Sequence, residues 1–181
     1  IVTSPFEHHA VMDPIEWLAH HDGAEIVQVG ISSDGVVDID ELKKIVDSRA
    51  HEIALISIMH SNNEIGTLQP ISEIVRIATE QQIPVHSDAV QSFGKVEFSF
   101  KELGLTAATL SAHKIGGPLG IGVLILKRGL EITPVLHGGG QERDIRSGTL
   151  NAPAIVSFAA AVKKVASEFH ERNDQIGRAH V

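Results

Sequence analysis

The stretch Ser111-Ala112-His113-Lys114-Ile115-Gly116-Gly117-Pro118 closes a run rich in small and β-branched residues, Thr106 to Ser111. The pattern predicts a buried strand that ends by delivering one amine, that of Lys114, to a cleft. A lysine in a partly dry pocket beside another potentially cationic side chain has a lowered pKa and becomes a usable nucleophile. Its commonest use is a Schiff base with a carbonyl compound. Alone, Lys114 is more simply a solvated lysine at a strand end, because short motifs match by accident. The remainder of the chain reverses that weighting.

Upstream, Ile53 to Met59 is a nearly continuous apolar run, as expected of a parallel strand buried on both faces. It ends at His60-Ser61-Asn62-Asn63. Ile83-Pro84-Val85-His86-Ser87 is a second strand and delivers Asp88-Ala89-Val90-Gln91. Between them, Pro70 to Gln82 carries Ile71, Ile74, Val75 and Ala78 at helical spacing. Nearer the start, Ile1 to Ser4 and Ile26 to Val29 read as short strands. The helix between them opens from the turn Pro5 to Ala10 and reaches His20 or His21, with Val11, Ile15, Leu18 and Trp17 inward; Pro14, tolerable near the first turns, offers a later start with Asp13 as N-cap. Asp38-Ile39-Asp40-Glu41 is a capping-box-like start for a helix with Ile39, Leu42, Ile45 and Val46 on one face. Ser99 to Leu103 is a short helix, and Ile121 to Leu126 a further strand. From Asn151 to about Glu171 an amphipathic helix turns Ile155, Phe158, Ala159, Val162 and Val165 inward.

This alternation predicts an α/β fold with a mostly parallel central sheet flanked by helices. In such sheets ligands lie beyond the carboxyl ends of the strands. Asn62-Asn63, Asp88 to Gln91 and Ser111 to Lys114 all follow apolar strands, so they converge on one rim.

Composition narrows the classes. The chain has 181 residues, 43% hydrophobic, enough for one sizeable core. A net charge of -8 argues against a general nucleic-acid binder. No apolar run is long enough to span a membrane and no signal peptide opens the chain, which makes the cytoplasm the expected location. With no cysteine, a disulfide scaffold and a thiolate metal site are both excluded within these residues. The eleven histidines form no HExxH, so no metal site is expected. Neither glycine-rich run carries a dinucleotide fingerprint or a P-loop ending.

The rim suits pyridoxal 5'-phosphate. Its pyridine nitrogen needs a carboxylate to stay protonated, and Asp88 at a strand end fits, a role compatible with capping the turn after it. Its phosphate needs hydroxyls and amides, which Ser111 and His113 flank Lys114 to provide. Its phenolic oxygen needs a donor, from Asn63 or Gln91, and an imidazole from His8 or His9 could stack on the ring.

Glu7-His8-His9-Ala10-Val11, Met59-His60-Ser61-Asn62-Asn63-Glu64-Ile65-Gly66, His86-Ser87-Asp88-Ala89-Val90-Gln91, Ser111-Ala112-His113-Lys114, and Gly138-Gly139-Gly140-Gln141-Glu142-Arg143 with Arg146-Ser147-Gly148-Thr149 together resemble the cysteine desulfurases. These are class V aminotransferase-like enzymes of PLP fold-type I, and the fold expected is their large PLP-binding domain. The resemblance implies that Lys114 holds the cofactor and acts as acid and base, with His8 stacked on the ring and assisting proton transfer. Asp88 would pair with the pyridine nitrogen, and Gln91 with the phenolic oxygen. Asn63 would sit near that oxygen and the substrate carboxylate. Ser111 and His113 would bind phosphate, and Thr149 would reach the phosphate of the other subunit of a homodimer. The implied reaction converts L-cysteine to L-alanine and passes sulfur to an enzyme cysteine, for iron–sulfur cluster or thiolation pathways with a sulfur-acceptor or scaffold protein as partner.

The family is about twice this length. Its N-terminal phosphate loop, its small C-terminal domain, the sulfur-accepting cysteine and the substrate-clamping arginine have no counterpart here. A piece of a larger protein is therefore expected, with 1–172 as a PLP-binding large-domain segment and 173–181 as a helix end and appended tail. Two other readings compete: a selenocysteine lyase or other class V enzyme, and a non-catalytic dimerising segment.

Overall fold

The computed structural model describes residues 1–178. Of the expected tail, residues 179–181 lie outside the described residues. The elements are β1 (Val2–Thr3), α1 (His9–Asp22), β2 (Val27–Gln28), α2 (Ile39–Arg49), β3 (Ile56–Ser57), α3 (Ile71–Glu80), β4 (Val85–Asp88), α4 (Phe100–Leu103), β5 (Ala107–Ser111), β6 (Gly122–Leu126) and α5 (Ala152–Arg178). Short 3₁₀ turns span Ala50–Glu52 and Ala112–Ile115. The chain divides into two compact units: Ile1–Leu110 with Val123–Ile125, and Ser111–Gly122 with the chain from Leu126 onward.

In the first unit the six-stranded sheet has the order β2-β1-β3-β4-β5-β6. The pairs β1/β2, β1/β3, β3/β4 and β4/β5 are all parallel, as the alternating pattern predicts. The ladders are shorter than the apolar runs, but main-chain bonds extend them. Ile58 N–H donates to the His86 carbonyl at 3.2 Å, and His60 N–H to the Asp88 carbonyl at 2.9 Å. The strand order reverses at β1, which puts a topological switch point between β1 and β3.

Burial follows the predicted stripes where a helix meets the sheet or another helix. α2 buries Leu42 and Val46, and α3 buries Ile71, Ile74, Val75, Ile77 and Ala78. These join Val2, Val29, Ile56, Ile58, Val85 and Leu105 in one core. Asp38 caps α2 by accepting from Glu41 N–H at 2.9 Å. The reciprocal half of the capping box is absent, because the Glu41 carboxylate instead accepts from Gly30 N–H at 2.9 Å.

Of the two starts the sequence offers for α1, the structure takes the earlier, out of the turn Pro5 to Ala10. Its N-cap is His8, whose Nδ1 accepts from Ala10 N–H at 3.0 Å, and Pro14 lies inside the helix rather than at its start. An imidazole nitrogen does here what an aspartate does elsewhere, so the helix begins well before Asp13. Trp17 is 54% exposed and stacks on His21 with ring centroids 4.3 Å apart, rather than pointing inward. Gly23, at φ 69°, closes the helix in the left-handed conformation glycine favours.

In the second unit, α5 packs against the Ala112–Ile115 turn. Phe158 and Val165 are buried as expected, but Ile155 and Ala159 are exposed. The stripe is apolar along its length, and burial requires a partner surface at each turn.

Leu42 is fully buried, so Leu42→Ala should cost roughly 2–5 kcal/mol in urea unfolding. Leu119 is 83% exposed, and Leu119→Ala should change stability by less than about 0.5 kcal/mol. Equal effects would show that the core is placed wrongly.

Candidate functional site

Parallel strands bring the ends of β1, β3 and β4 to one edge of the first unit. The turn leaving β1 carries Ser4, Glu7, His8 and His9. The turn leaving β3 carries Met59, His60, Asn62 and Asn63, and that leaving β4 carries Asp88, Gln91 and Ser92.

Two side chains tie the first turn to the second. Glu7 is 8% exposed, and its Oε1 accepts from Met59 N–H at 2.7 Å and from the Ser4 hydroxyl at 2.5 Å. Its Oε2 is buried with no hydrogen-bond partner among the described residues. Burial raises this carboxyl to about 7, opposed by the Ser4 and Met59 hydrogen bonds and assisted by the nearby charge of Asp88. Asn62 Nδ2 donates to the Phe6 carbonyl at 3.0 Å, while its Oδ1 accepts from Glu64 and Ile65 N–H.

Asp88 is 7% exposed, and its Oδ1 accepts from Val90 N–H at 2.8 Å. The expected cap and a free second oxygen are therefore compatible. In register, Asp88 lies opposite Thr109 of β5. Gln91 Oε1 accepts from Lys95 Nζ at 2.7 Å, and Asn63 is exposed. His8 is also exposed, and because its Nδ1 is an acceptor, the neutral ring carries its proton on Nε2.

The sequence reading singled out none of three further residues. His60 Nδ1 lies 2.7 Å from Ser92 Oγ, which lies 2.5 Å from Ser61 Oγ. His86 bridges Ser57 Oγ at 2.8 Å and Thr109 Oγ1 at 3.3 Å. Burial lowers the pKa of His60 and of His86, in the latter against the pull of Asp88. Glu7 is the other residue missed. A lone glutamate before a histidine pair reads as the solvated start of a helix, and only the fold buries it.

The second unit holds the remaining expected residues. Ser111 Oγ lies 2.7 Å from His113 Nδ1. His113 and Lys114 are exposed, which corrects the expected partly dry pocket for Lys114. The four-residue 3₁₀ turn buries Ala112 and Ile115 and so turns the two residues between them outward. Lys114 Nζ makes no hydrogen bond or ion pair among the described residues. A Cβ at Gly117 would come within 2.9 Å of the Ala112 carbonyl oxygen, so the turn closes tightly behind the lysine. Thr149 is exposed, and the loop before it is pinned by Gly140 N–H to Ser147 Oγ and Gly148 N–H to Gln141 Oε1.

The profile of the family described as aminotransferase class-V matches residues 1–178. The chain belongs to that family. An IscS-like cysteine desulfurase of Mycobacterium tuberculosis is 41% identical over 176 residues, covering 97% of this chain and 44% of the relative. A solved NifS-like protein superposes with a TM-score of 0.88 at 42% identity, covering 94% of this chain and 46% of its own. A structure described as SspA in complex with cysteine gives a TM-score of 0.83 at 35% identity, covering 90% and 46%. The chain thus spans a little under half the length of these relatives.

The class-V family is PLP-dependent. Each unit holds donor chemistry of the kind that cofactor uses: in the first, a buried carboxylate with one oxygen left over, and in the second, an uncommitted amine and a hydroxyl–imidazole pair. Among the described residues, no helix is long and apolar enough to cross a membrane.

Glu7 gives this class-V chain a measurable pH dependence. Its folded pKa lies above the ordinary 4.5, so its contribution is intact below about pH 4.5 and is lost as pH rises through about 7. Above that, the buried charge costs about 3 kcal/mol. His60 and His86 act oppositely, contributing above the ordinary imidazole pKa of 6.5 and losing that contribution as pH falls. Glu7→Gln keeps the side chain neutral and leaves both histidines in place. Its stability relative to the unsubstituted chain, from urea unfolding, should therefore rise by about 3 kcal/mol between about pH 4.5 and pH 8. A pH-independent difference would show that the carboxyl is solvated.

Proposed function

We propose that this chain is the cofactor-holding segment of a PLP-dependent cysteine desulfurase, in which L-cysteine yields L-alanine and sulfur passes to a cysteine thiolate. The observation that carries the reading is the β4/β5 register. It sets Asp88 opposite Thr109, and the chain runs from Thr109 through Ser111 and His113 to Lys114. The strand β5 that pairs with Asp88 thus leads, along the chain, into a hydroxyl–imidazole pair and an amine. The SspA relative is described with cysteine, which supports that substrate class.

Each residue has a role its own chemistry allows. Asp88, with Oδ1 occupied by Val90 N–H, keeps a second oxygen to hold a protonated pyridine nitrogen. Lys114 would attach the cofactor through its amine and afterwards carry protons to and from the substrate's α-carbon. His8 presents an Nε2–H and a flat ring face, suited to stacking and to donating a proton. Ser111 and His113 would take the phosphate, joined by Thr149 from the other subunit of a homodimer. Gln91 would donate to the phenolic oxygen, with Asn63 beside it and near the substrate carboxylate. Pyridoxal phosphate, when bound, supplies an electron-poor ring that stabilises negative charge at the substrate's α-carbon.

The 181 residues contain no cysteine, so the sulfur-accepting thiolate lies outside them. Residues 1–172 would be the PLP-binding segment of a large domain. A soluble sulfur acceptor or scaffold in the cytoplasm would complete the pathway.

Incubation with PLP should give the violet-region absorbance of a lysine adduct. Borohydride reduction and peptide mass analysis should place it at Lys114. Lys114→Ala should abolish it, and Asp88→Asn should weaken PLP binding by about tenfold or more, the loss of one charge-assisted hydrogen bond. Adducts scattered over other lysines, unchanged in Lys114→Ala, would sink the reading.

A further inference from the structure

Glu7 is unusual among the groups at the rim. One oxygen takes two donors from different segments, Ser4 on its own turn and Met59 beyond β3, while the other is sealed from water without a partner. A buried carboxyl with an unmet oxygen costs stability, and a hydrophobic residue of similar size would avoid that cost. The turn it belongs to leaves β1 at the switch point and leads directly to His8, whose ring is set by Ala10 N–H. Only one other side chain, Asn62 through the Phe6 carbonyl, ties this turn to the β3 exit among the described hydrogen bonds. The charged group that acts on Glu7 is Asp88, the last residue of β4, and His8 follows Glu7 directly in the chain. Asp88 acts on Glu7 electrostatically, favouring its neutral form.

We propose that Glu7 is a positioning residue: its carboxyl clamps the turn leaving β1 to the Met59 amide and so holds the His8 ring in one orientation at the rim. The part this plays in catalysis rests on the desulfurase reading, while the clamp itself is a property of this chain. Both protonation states of Glu7 keep an oxygen that can accept from Met59 N–H, so the clamp persists across the carboxyl's titration, and only its strength changes.

The test uses the whole chain without cofactor, in ¹⁵N-labelled form. In the unsubstituted chain the Met59 amide shift should step with a midpoint of about 7. In Glu7→Gln the step should vanish, while long-range imidazole spectra still show His8 with its proton on Nε2. In Glu7→Ala that single tautomer should give way to a mixture, with the Ala10 amide shifted. The same variant should bind PLP about tenfold more weakly, and Glu7→Gln should bind within about threefold of the unsubstituted chain. If Glu7→Ala folds and keeps the His8 tautomer and the Ala10 shift, Glu7 is merely structural and the proposal is overturned. Should Glu7→Ala fail to fold, Glu7→Gln decides: an unchanged Met59 step overturns the proposal, and its loss with His8 intact supports it. Failure of PLP labelling at Lys114 with these signals as expected overturns the desulfurase reading alone. The reverse overturns the clamp alone.

Discussion

Parallel pairing is the constraint on which the site depends. Because β1, β3, β4 and β5 run the same way, each ends at one edge of the sheet. Their last amides and carbonyls must then find partners outside the ladder. Polar side chains supply them. Glu7 takes the Met59 amide, Ser87 Oγ donates to the Ile58 carbonyl at 2.8 Å, and Asp88 takes the Val90 amide. Asn62 links the Phe6 carbonyl to the Glu64 and Ile65 amides. The rim is polar because the fold requires it, and the same groups are then available for chemistry.

Burial gives this edge its electrostatic character. Glu7 is pushed toward its neutral form, and His60 and His86 are likewise pushed toward theirs. At the strands' amino ends the situation is the opposite. There Arg49 binds Glu25 and Glu52 at 2.6 and 2.5 Å with largely exposed carboxylates, beside a cleft lined by Val2, Gly23, Ile45 and Ile53. Exposed ion pairs of that kind are screened by solvent and contribute little. Ordinary charges thus sit at one end of the sheet and restrained ones at the other, where parallel-sheet proteins hold ligands.

The α2 and α3 stripes were legible because helical spacing and a sheet beneath them lead to the same buried set. The α5 stripe was legible only in part. Phe158 and Val165 found cover, whereas Ile155 and Ala159 did not, since periodicity states what can be buried and not whether a partner is there. The start of α1 was legible as two alternatives, the turn after Pro5 and the Asp13-Pro14 pair, because histidine is not a usual cap and Pro14 is a familiar start signal. Trp17 found a stacking partner on its own helix instead of a place in the core.

Local patterns determined the parallel α/β architecture and the identity of Asp88, Ser111, His113 and Lys114 as strand-end polar residues, while the family rested on the resemblance of ordered motifs. The first two follow from short-range patterns, in which apolar runs make strands and what comes next falls at their ends. The tertiary structure alone decided burial and pairing. It sealed Glu7 against Met59, fifty-two positions away in the chain, and turned Lys114 outward on a four-residue turn. The physical reason is that a side chain's desolvation and its partner depend on segments remote in sequence, which no local pattern encodes.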